Sequence, residues 1–183
     1  MPFHFISVKK PEGLVIIEPY TFGDERGFFM ETYRGDEFRK AGIEEEFVQD
    51  NHSRSVKGVI RGLHFQADPH EQSKLVRCIH GEVFDVAVDL RKKSDSFGEW
   101  YGMVLSEENK KMFYIPKGFA HGYATISDTA EVVYKVDDFY SREDERGVRF
   151  DDPTLAIEWR VSDPIVSTKD RGLPEFDEHG EYF

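Results

Sequence analysis

Residues 82–90 read Glu82-Val83-Phe84-Asp85-Val86-Ala87-Val88-Asp89-Leu90. Side chains of an extended strand alternate between two faces, which puts Phe84, Val86, Val88 and Leu90 on one face. Val83, Asp85, Ala87 and Asp89 fall on the other. This is a strand pattern, and shorter segments of the same kind lie on both sides of it. Strands are predicted at Leu14–Glu18, Gly27–Tyr33, Phe47–Asn51, Gly58–His64 and Lys74–His80 before it, and at Trp100–Leu105, Met112–Ile115, Gly122–Ile126 and Glu131–Val136 after it. Turn residues separate them: Gly23-Asp24, Ser53–Lys57, Ala67-Asp68-Pro69, His80-Gly81, Lys92–Gly98 and Ser127-Asp128. Helical signals are few. Asp36–Ala41 is stopped by Gly42, and Ser106–Lys111 starts with Ser106 as a cap and Glu107 and Glu108 in the first turn. From Arg142 onward, charge, Pro and Gly predict an irregular tail wrapping the body. Many short strands without alternating helices predict an all-β fold, a jelly-roll sandwich or barrel, as one domain over residues 1–183.

The composition narrows the function classes. Sixteen Phe, eight Tyr and two Trp in 183 residues supply enough apolar surface to repay the entropy of ordering, so the chain is not a disordered one. With 24 basic against 36 acidic residues the net charge is −12, which argues against nucleic-acid backbones and anionic membranes as partners. A small anion is compatible with a local basic pocket. One cysteine, Cys78, cannot form an internal disulfide, and the opening MPFHFISVKK lacks a secretory pattern. No apolar run has the length of a membrane span. A soluble, cytoplasmic protein is expected.

Two histidines sit in suggestive settings, His64 in Gly58-Val-Ile-Arg-Gly-Leu-His64-Phe-Gln66 and His121 in Ile115-Pro116-Lys117-Gly118-Phe119-Ala120-His121. Gly, five residues and His, followed later by Pro-X-Gly-X-X-His, resembles the two motifs of the cupin superfamily. Metal-binding cupins place a second His where Gln66 stands, and an amide oxygen is a poor substitute for imidazole. A mixed metal site of His64, Gln66, Glu71 and His121 is one reading; His64 as a proton-abstracting base without metal is the favoured one. A pocket tyrosine such as Tyr134, sharing a face with Val132 and Val136, can act as a general acid. Lys74, if it points inward, can stabilise a developing enolate as a fixed cation. Asp170 suits a carboxylate that orients His64, and Asp85 could serve His121. Arg26, Arg61, Arg77 and Lys169 are candidates for a diphosphate clamp. Strict alternation puts Arg61 on the face opposite His64, so either Gly62 marks a bulge or Arg61 acts from another direction.

Several blocks together resemble one family. Asp24-Glu25-Arg26-Gly27-Phe28-Phe29-Met30-Glu31, Phe47-Val48-Gln49-Asp50-Asn51, Arg61-Gly62-Leu63-His64-Phe65-Gln66, Lys74-Leu75-Val76-Arg77 and Asp151-Asp152-Pro153 are similar to the dTDP-4-dehydrorhamnose 3,5-epimerases. So are Gly81–Arg91 and Ile115–Gly122. The resemblance implies a cupin jelly roll that works as a homodimer, without a metal or other cofactor, on a 4-keto-6-deoxyhexose linked to dTDP. It implies His64 as base, Asp170 as its partner, Lys74 at the enolate and Tyr134 as acid. Arg26, Glu31, Gln49, Asn51, Arg61, His121, Glu145 and Lys169 match positions that hold the nucleotide sugar, Arg26 reaching the partner subunit's site. Phe29 or Tyr140 could stack on the thymine. Ser73 stands in place of an expected glycine, Cys78 in place of a valine, and the Ala67–Gln72 insert is unlike the pattern. The alternatives to a 3,5-epimerase are a single-centre epimerase or ketoisomerase on such a sugar, a metal cupin oxygenase, and a binding module that never turns its ligand over.

Overall fold

The computed structural model describes residues 2–180 and 182–183. Its elements are β1 (Phe3–Ser7), β2 (Val15–Pro19), β3 (Thr21–Asp24), β4 (Gly27–Met30), α1 (Gly35–Lys40) and β5 (Gln49–Val56). There follow β6 (Ile60–Gln66), β7 (Lys74–His80), β8 (Glu82–Asp89), β9 (Trp100–Ser106) and β10 (Met112–Ile115). The chain ends with β11 (Phe119–Thr125), β12 (Thr129–Val136), β13 (Glu145–Gly147) and α2 (Thr168–Arg171). One antiparallel sheet has the order β1-β2-β10-β7-β12-β5 and the other β13-β6-β11-β8-β9, while β3 and β4 form a separate hairpin. This is the jelly-roll sandwich expected from the strand spacing. Among the described residues, no helix is long and apolar enough to cross a membrane.

Both faces of β8 are buried, and they meet different neighbours. Val83 and Ala87 join Val76, Cys78, Leu105, Phe113 and Val132 in the core between the sheets. Phe84, Val86, Val88 and Leu90 point away from it, and the chain after β13 covers them with Val148, Phe150, Leu155, Trp159 and Phe176. The indole N–H of Trp159 donates to the Phe150 carbonyl at 2.7 Å, which lets that ring pack without leaving a buried donor unpaired. The apolar face of β8 is therefore the one beneath the wrap. Its mixed face is free to carry Asp85 into the sandwich. A third cluster, with Phe38 of α1, Ile17, Leu75 and Tyr114, closes the outside of the six-stranded sheet.

Several expectations need correction. Ser53–Lys57 is no turn: β5 runs on to Val56, its polar residues tolerated at a sheet edge where Thr129–Val136 pairs along it. Ser106–Lys111 is not a helix. Ser106 ends β9, and the Asn109 side chain accepts from the N–H groups of Ser106 and Lys111, fixing a tight turn instead. The strand expected over Gly27–Tyr33 stops at Met30. β1, β3 and β13 are additional, and the tail is not wholly irregular, since it contains α2.

Candidate active site

A cleft of about 590 Å³ opens between the two sheets at the β5, β12 and β6 side. From the six-stranded sheet come Gln49, Asn51 and Ser53 of β5, Tyr134 of β12 and Lys74 of β7. From the five-stranded sheet come Arg61, His64 and Gln66 of β6, His121 and Tyr123 of β11 and Glu145 of β13. The tail adds Ser167, Lys169 and Asp170.

The parity conflict at Arg61 resolves as a bulge. His64 lies opposite His121, and Arg61 lies opposite Tyr123, so three steps on β6 match two on β11. The extra residue turns Arg61 to the same face as His64. Gly62 has φ +128°, and a Cβ there would stand 2.5 Å from the Gly122 Cα and 2.8 Å from the His121 carbonyl oxygen. Only glycine fits both the backbone angle and the close approach.

The tail positions the partner of His64. Ser167 caps α2, its hydroxyl accepting from the Asp170 N–H at 3.0 Å. The buried Asp170 carboxylate then accepts from His64 Nε2 at 3.0 Å and from the Gly62 N–H at 3.3 Å. Burial alone would push its carboxyl up. The hydrogen bond and charge of His64, with the Gly62 and Ser167 contacts, outweigh that and hold it below the usual carboxylate range. An ionised carboxylate only accepts, so Nε2 carries the proton and Nδ1 keeps a lone pair. His121 makes a second pair, its Nε2 3.0 Å from both oxygens of buried Asp85.

Lys74 is an inward, buried lysine, and its Nζ spans the sheets to donate to the His64 carbonyl at 3.2 Å. Burial drives its pKa down to about 8, against the opposing pull of Asp85 and Glu145. Tyr134 lines the cleft from the neighbouring strand β12, opposite Asn51, with burial pushing its hydroxyl upward so that it holds its proton. Gln49 donates to Asn51 at 3.0 Å and accepts from the Tyr140 N–H at 3.1 Å. At the mouth, Glu145 accepts from Lys169 at 2.5 Å and from the Tyr140 hydroxyl at 2.7 Å.

Ten of the twelve site residues expected from the sequence thus line one cleft, while Arg26 and Glu31 do not. Arg26 caps the exposed β3–β4 hairpin, paired to Asp24, and Glu31 follows it beside Arg34 at 3.9 Å. Phe29 is exposed on the same hairpin, so of the two candidates for stacking only Tyr140 lines the cleft. Arg77 is excluded from the clamp because β7 alternation turns it outward, away from Lys74. Sequence reasoning missed Tyr123, Ser53 and Ser167. Tyr123 is two residues beyond His121 and so shares its face; its hydroxyl lies 2.8 Å from Ser53 Oγ. Ser167-Thr168-Lys169-Asp170 carries an acid three residues after a capping serine, a helix-start signal that was there to be used. As for a metal, His64 and His121 are each committed to a different carboxylate. Among the described residues no three His, Cys, Asp or Glu side chains gather as ligands.

A family model described as dTDP-4-dehydrorhamnose 3,5-epimerase matches residues 9–178. The chain belongs to the dTDP-4-dehydrorhamnose 3,5-epimerase family. It is 57% identical over 158 residues to the dTDP-4-dehydrorhamnose 3,5-epimerase of Shigella flexneri, a match covering 86% of this chain and 87% of that one. The crystal structure of the dTDP-4-dehydrorhamnose 3,5-epimerase of Elizabethkingia anophelis NUHP1 superposes with a TM-score of 0.91 at 47% identity, covering 96% of this chain and 97% of that chain. A dTDP-6-deoxy-D-glucose-3,5-epimerase of Legionella pneumophila, solved in complex with dTDP-4-keto-L-rhamnose, gives a TM-score of 0.89 at 45% identity. That match covers 96% of this chain and 99% of that one. The resemblance read from the motif blocks holds for the 3,5-epimerase family as a whole chain, and with it the cupin-like jelly roll.

Proposed function

We propose that this chain is an isomerase that converts dTDP-4-dehydro-6-deoxy-D-glucose to dTDP-4-dehydro-L-rhamnose by inverting C3 and C5. One observation carries the reading: His64 and Tyr134 enter one cleft from opposite sheets, and buried Lys74, on the strand beside that of Tyr134, reaches across to the His64 carbonyl. Hydrogens on C3 and C5 are acidic because they flank the C4 ketone, whose oxygen takes the charge when either is removed. His64, its Nε2–H held by Asp170, accepts the proton on Nδ1. The Lys74 cation stabilises the enolate oxygen, and Tyr134 gives its hydroxyl proton to the opposite side of the same carbon. Each inversion loads one proton on His64 and takes one from Tyr134, and exchange with water restores both before the second. General acid–base help is worth roughly 10²–10⁴-fold, and the oxyanion contact roughly 10²–10³-fold. Because acid, base and cation are all side chains, the reaction needs no cofactor.

Arg61, Gln49, Asn51, His121 and Lys169 hold the nucleotide sugar, Glu145 lies among them at the mouth of the cleft, and Tyr140 stacks on the base. The protein works as a homodimer in the cytoplasm, where the hairpin of one subunit brings Arg26 and Glu31 to the cleft of the other. Exposed Tyr20, Phe22, Phe28 and Phe29 on and beside that hairpin fit a surface meant to be covered.

NMR of dTDP-4-dehydro-6-deoxy-D-glucose turned over in D₂O tests this. Deuterium at both C3 and C5 with inversion at both is expected. Label at one carbon only would make it a single-centre epimerase, a migrated ketone a ketoisomerase, and no exchange at all would overturn the assignment.

A further inference from the structure

Glu145 has contacts that a residue simply holding the ligand would not need. It sits opposite Gln66 at the start of β13, so its backbone is pinned to the five-stranded sheet. Oε1 accepts from the Lys169 ammonium at 2.5 Å, and Oε2 accepts from the Tyr140 hydroxyl at 2.7 Å. Both oxygens are therefore engaged by groups from two other elements, α2 and the chain after β12. The Glu145 side chain is sheltered at 17% exposure, whereas Lys169 is 57% exposed. Burial would push the Glu145 carboxyl up, but Lys169 and Tyr140 outweigh it and keep it ionised. A fixed anion thus holds an exposed cation and an exposed ring at the mouth of the cleft.

We infer that Glu145 is an internal stand-in for phosphate, which presets Lys169 and Tyr140 and surrenders Lys169 when the ligand's diphosphate arrives. This rests on the nucleotide-sugar reading above, in which Lys169 meets the diphosphate. An entering phosphate must displace a carboxylate already at hydrogen-bond distance and then lie beside it. A diphosphate, with more charge, does this better than a monophosphate, and a neutral nucleoside does not do it at all. Glu145 keeps Tyr140 throughout, so the ring stays placed while the cation changes partner. The carboxylate in this way sets a charge threshold for what the cleft accepts.

Calorimetric titration of the full-length protein with dTDP, dTMP and thymidine tests the idea on wild type and Glu145→Gln. Glutamine keeps the size and an acceptor for Tyr140 but removes the charge. The expected result is roughly threefold to tenfold tighter dTDP binding in Glu145→Gln, the scale of a partly exposed ion pair plus a relieved repulsion. Thymidine should bind as before, dTMP should gain on dTDP, and the dTDP gain should shrink at high salt. It should also vanish when Lys169→Met is added. Glu145→Ala, which drops both contacts, should still raise the affinity for dTDP relative to thymidine. Weaker dTDP binding in both variants, as for a residue that grips the ligand directly, would overturn the stand-in role, as would a gain that survives without Lys169. Failure of the wild-type protein to bind dTDP would instead sink the nucleotide-sugar reading, and this inference with it.

Discussion

Asp170 in α2 and Asp89 at the end of β8 are both buried carboxylates, and both are held below the usual range by hydrogen bonds that outweigh burial. Their donors differ. Asp89 accepts from Arg91 Nε at 2.9 Å and from the hydroxyls of Ser94 and Ser96 at 2.7 Å, none more than seven residues away. It closes the loop between β8 and β9 and touches no group of the cleft. Asp170 accepts from His64 and Gly62, 106 and 108 residues away, and the imidazole it holds is part-exposed to the cleft. Burial and saturation therefore do not mark a functional carboxylate. A titratable donor that opens onto a cleft does.

That contrast predicts opposite phenotypes for the same substitution. Asp170→Asn should lower turnover roughly 10³–10⁴-fold, because an amide neither fixes the imidazole tautomer nor stabilises the imidazolium. Its thermal midpoint should barely move. Asp89→Asn should do the reverse, losing about 2–3 kcal/mol in urea denaturation as charge-assisted contacts to Arg91 weaken, while turnover per folded molecule stays at wild type. A stable, active Asp89→Asn, or an unfolded Asp170→Asn, would break the comparison.

Lys74 sharpens it from the side of a buried cation. Its folded pKa of about 8 lies below the ordinary lysine value, so folding disfavours the charged form. Below pH 8 the lysine is charged in both the folded and unfolded protein and the full penalty applies; the penalty fades as pH rises from 8 toward the unfolded value. Lys74→Met should therefore be more stable than wild type at pH 7, by about 1–2 kcal/mol after losing the contact to the His64 carbonyl. The gain should shrink above pH 8, and turnover should collapse at every pH. In the wild type, turnover should fall on the alkaline side with an apparent pKa near 8 as the cation is lost. Lys74→Met less stable than wild type at pH 7 would place Lys74 among the structural charges.

How much was legible in the sequence follows the same divide. The strict alternation of Glu82–Leu90 placed Asp85 on the face that meets His121, and Gly62 beside the awkward parity of Arg61 already suggested a bulge. His64 was legible from its motif position, while strand parity left the direction of Lys74 and the role of Tyr134 open until the family resemblance supplied them. β5 was half-missed for a physical reason: Gln49, Asn51 and Ser53 line a polar cleft, so the strand lacks the apolar alternation by which strands are recognised. β13 and α2 are short and held by pairing with β6 and by a serine cap, signals that depend on distant chain. The hairpin carrying Arg26 and Glu31 has its aromatic groups exposed, so a reading based on burial within one chain had nothing to place it against.

The central claim is that base and acid approach the sugar from opposite sheets. Deuterium uptake at C3 in D₂O, followed by NMR for Tyr134→Phe and His64→Asn, tests it directly. With His64 intact, Tyr134→Phe should take up deuterium at C3 with its configuration retained, because the imidazolium returns a solvent-exchanged proton to the face it came from. His64→Asn should take up none. Inversion in Tyr134→Phe, or uptake in His64→Asn, would contradict the arrangement.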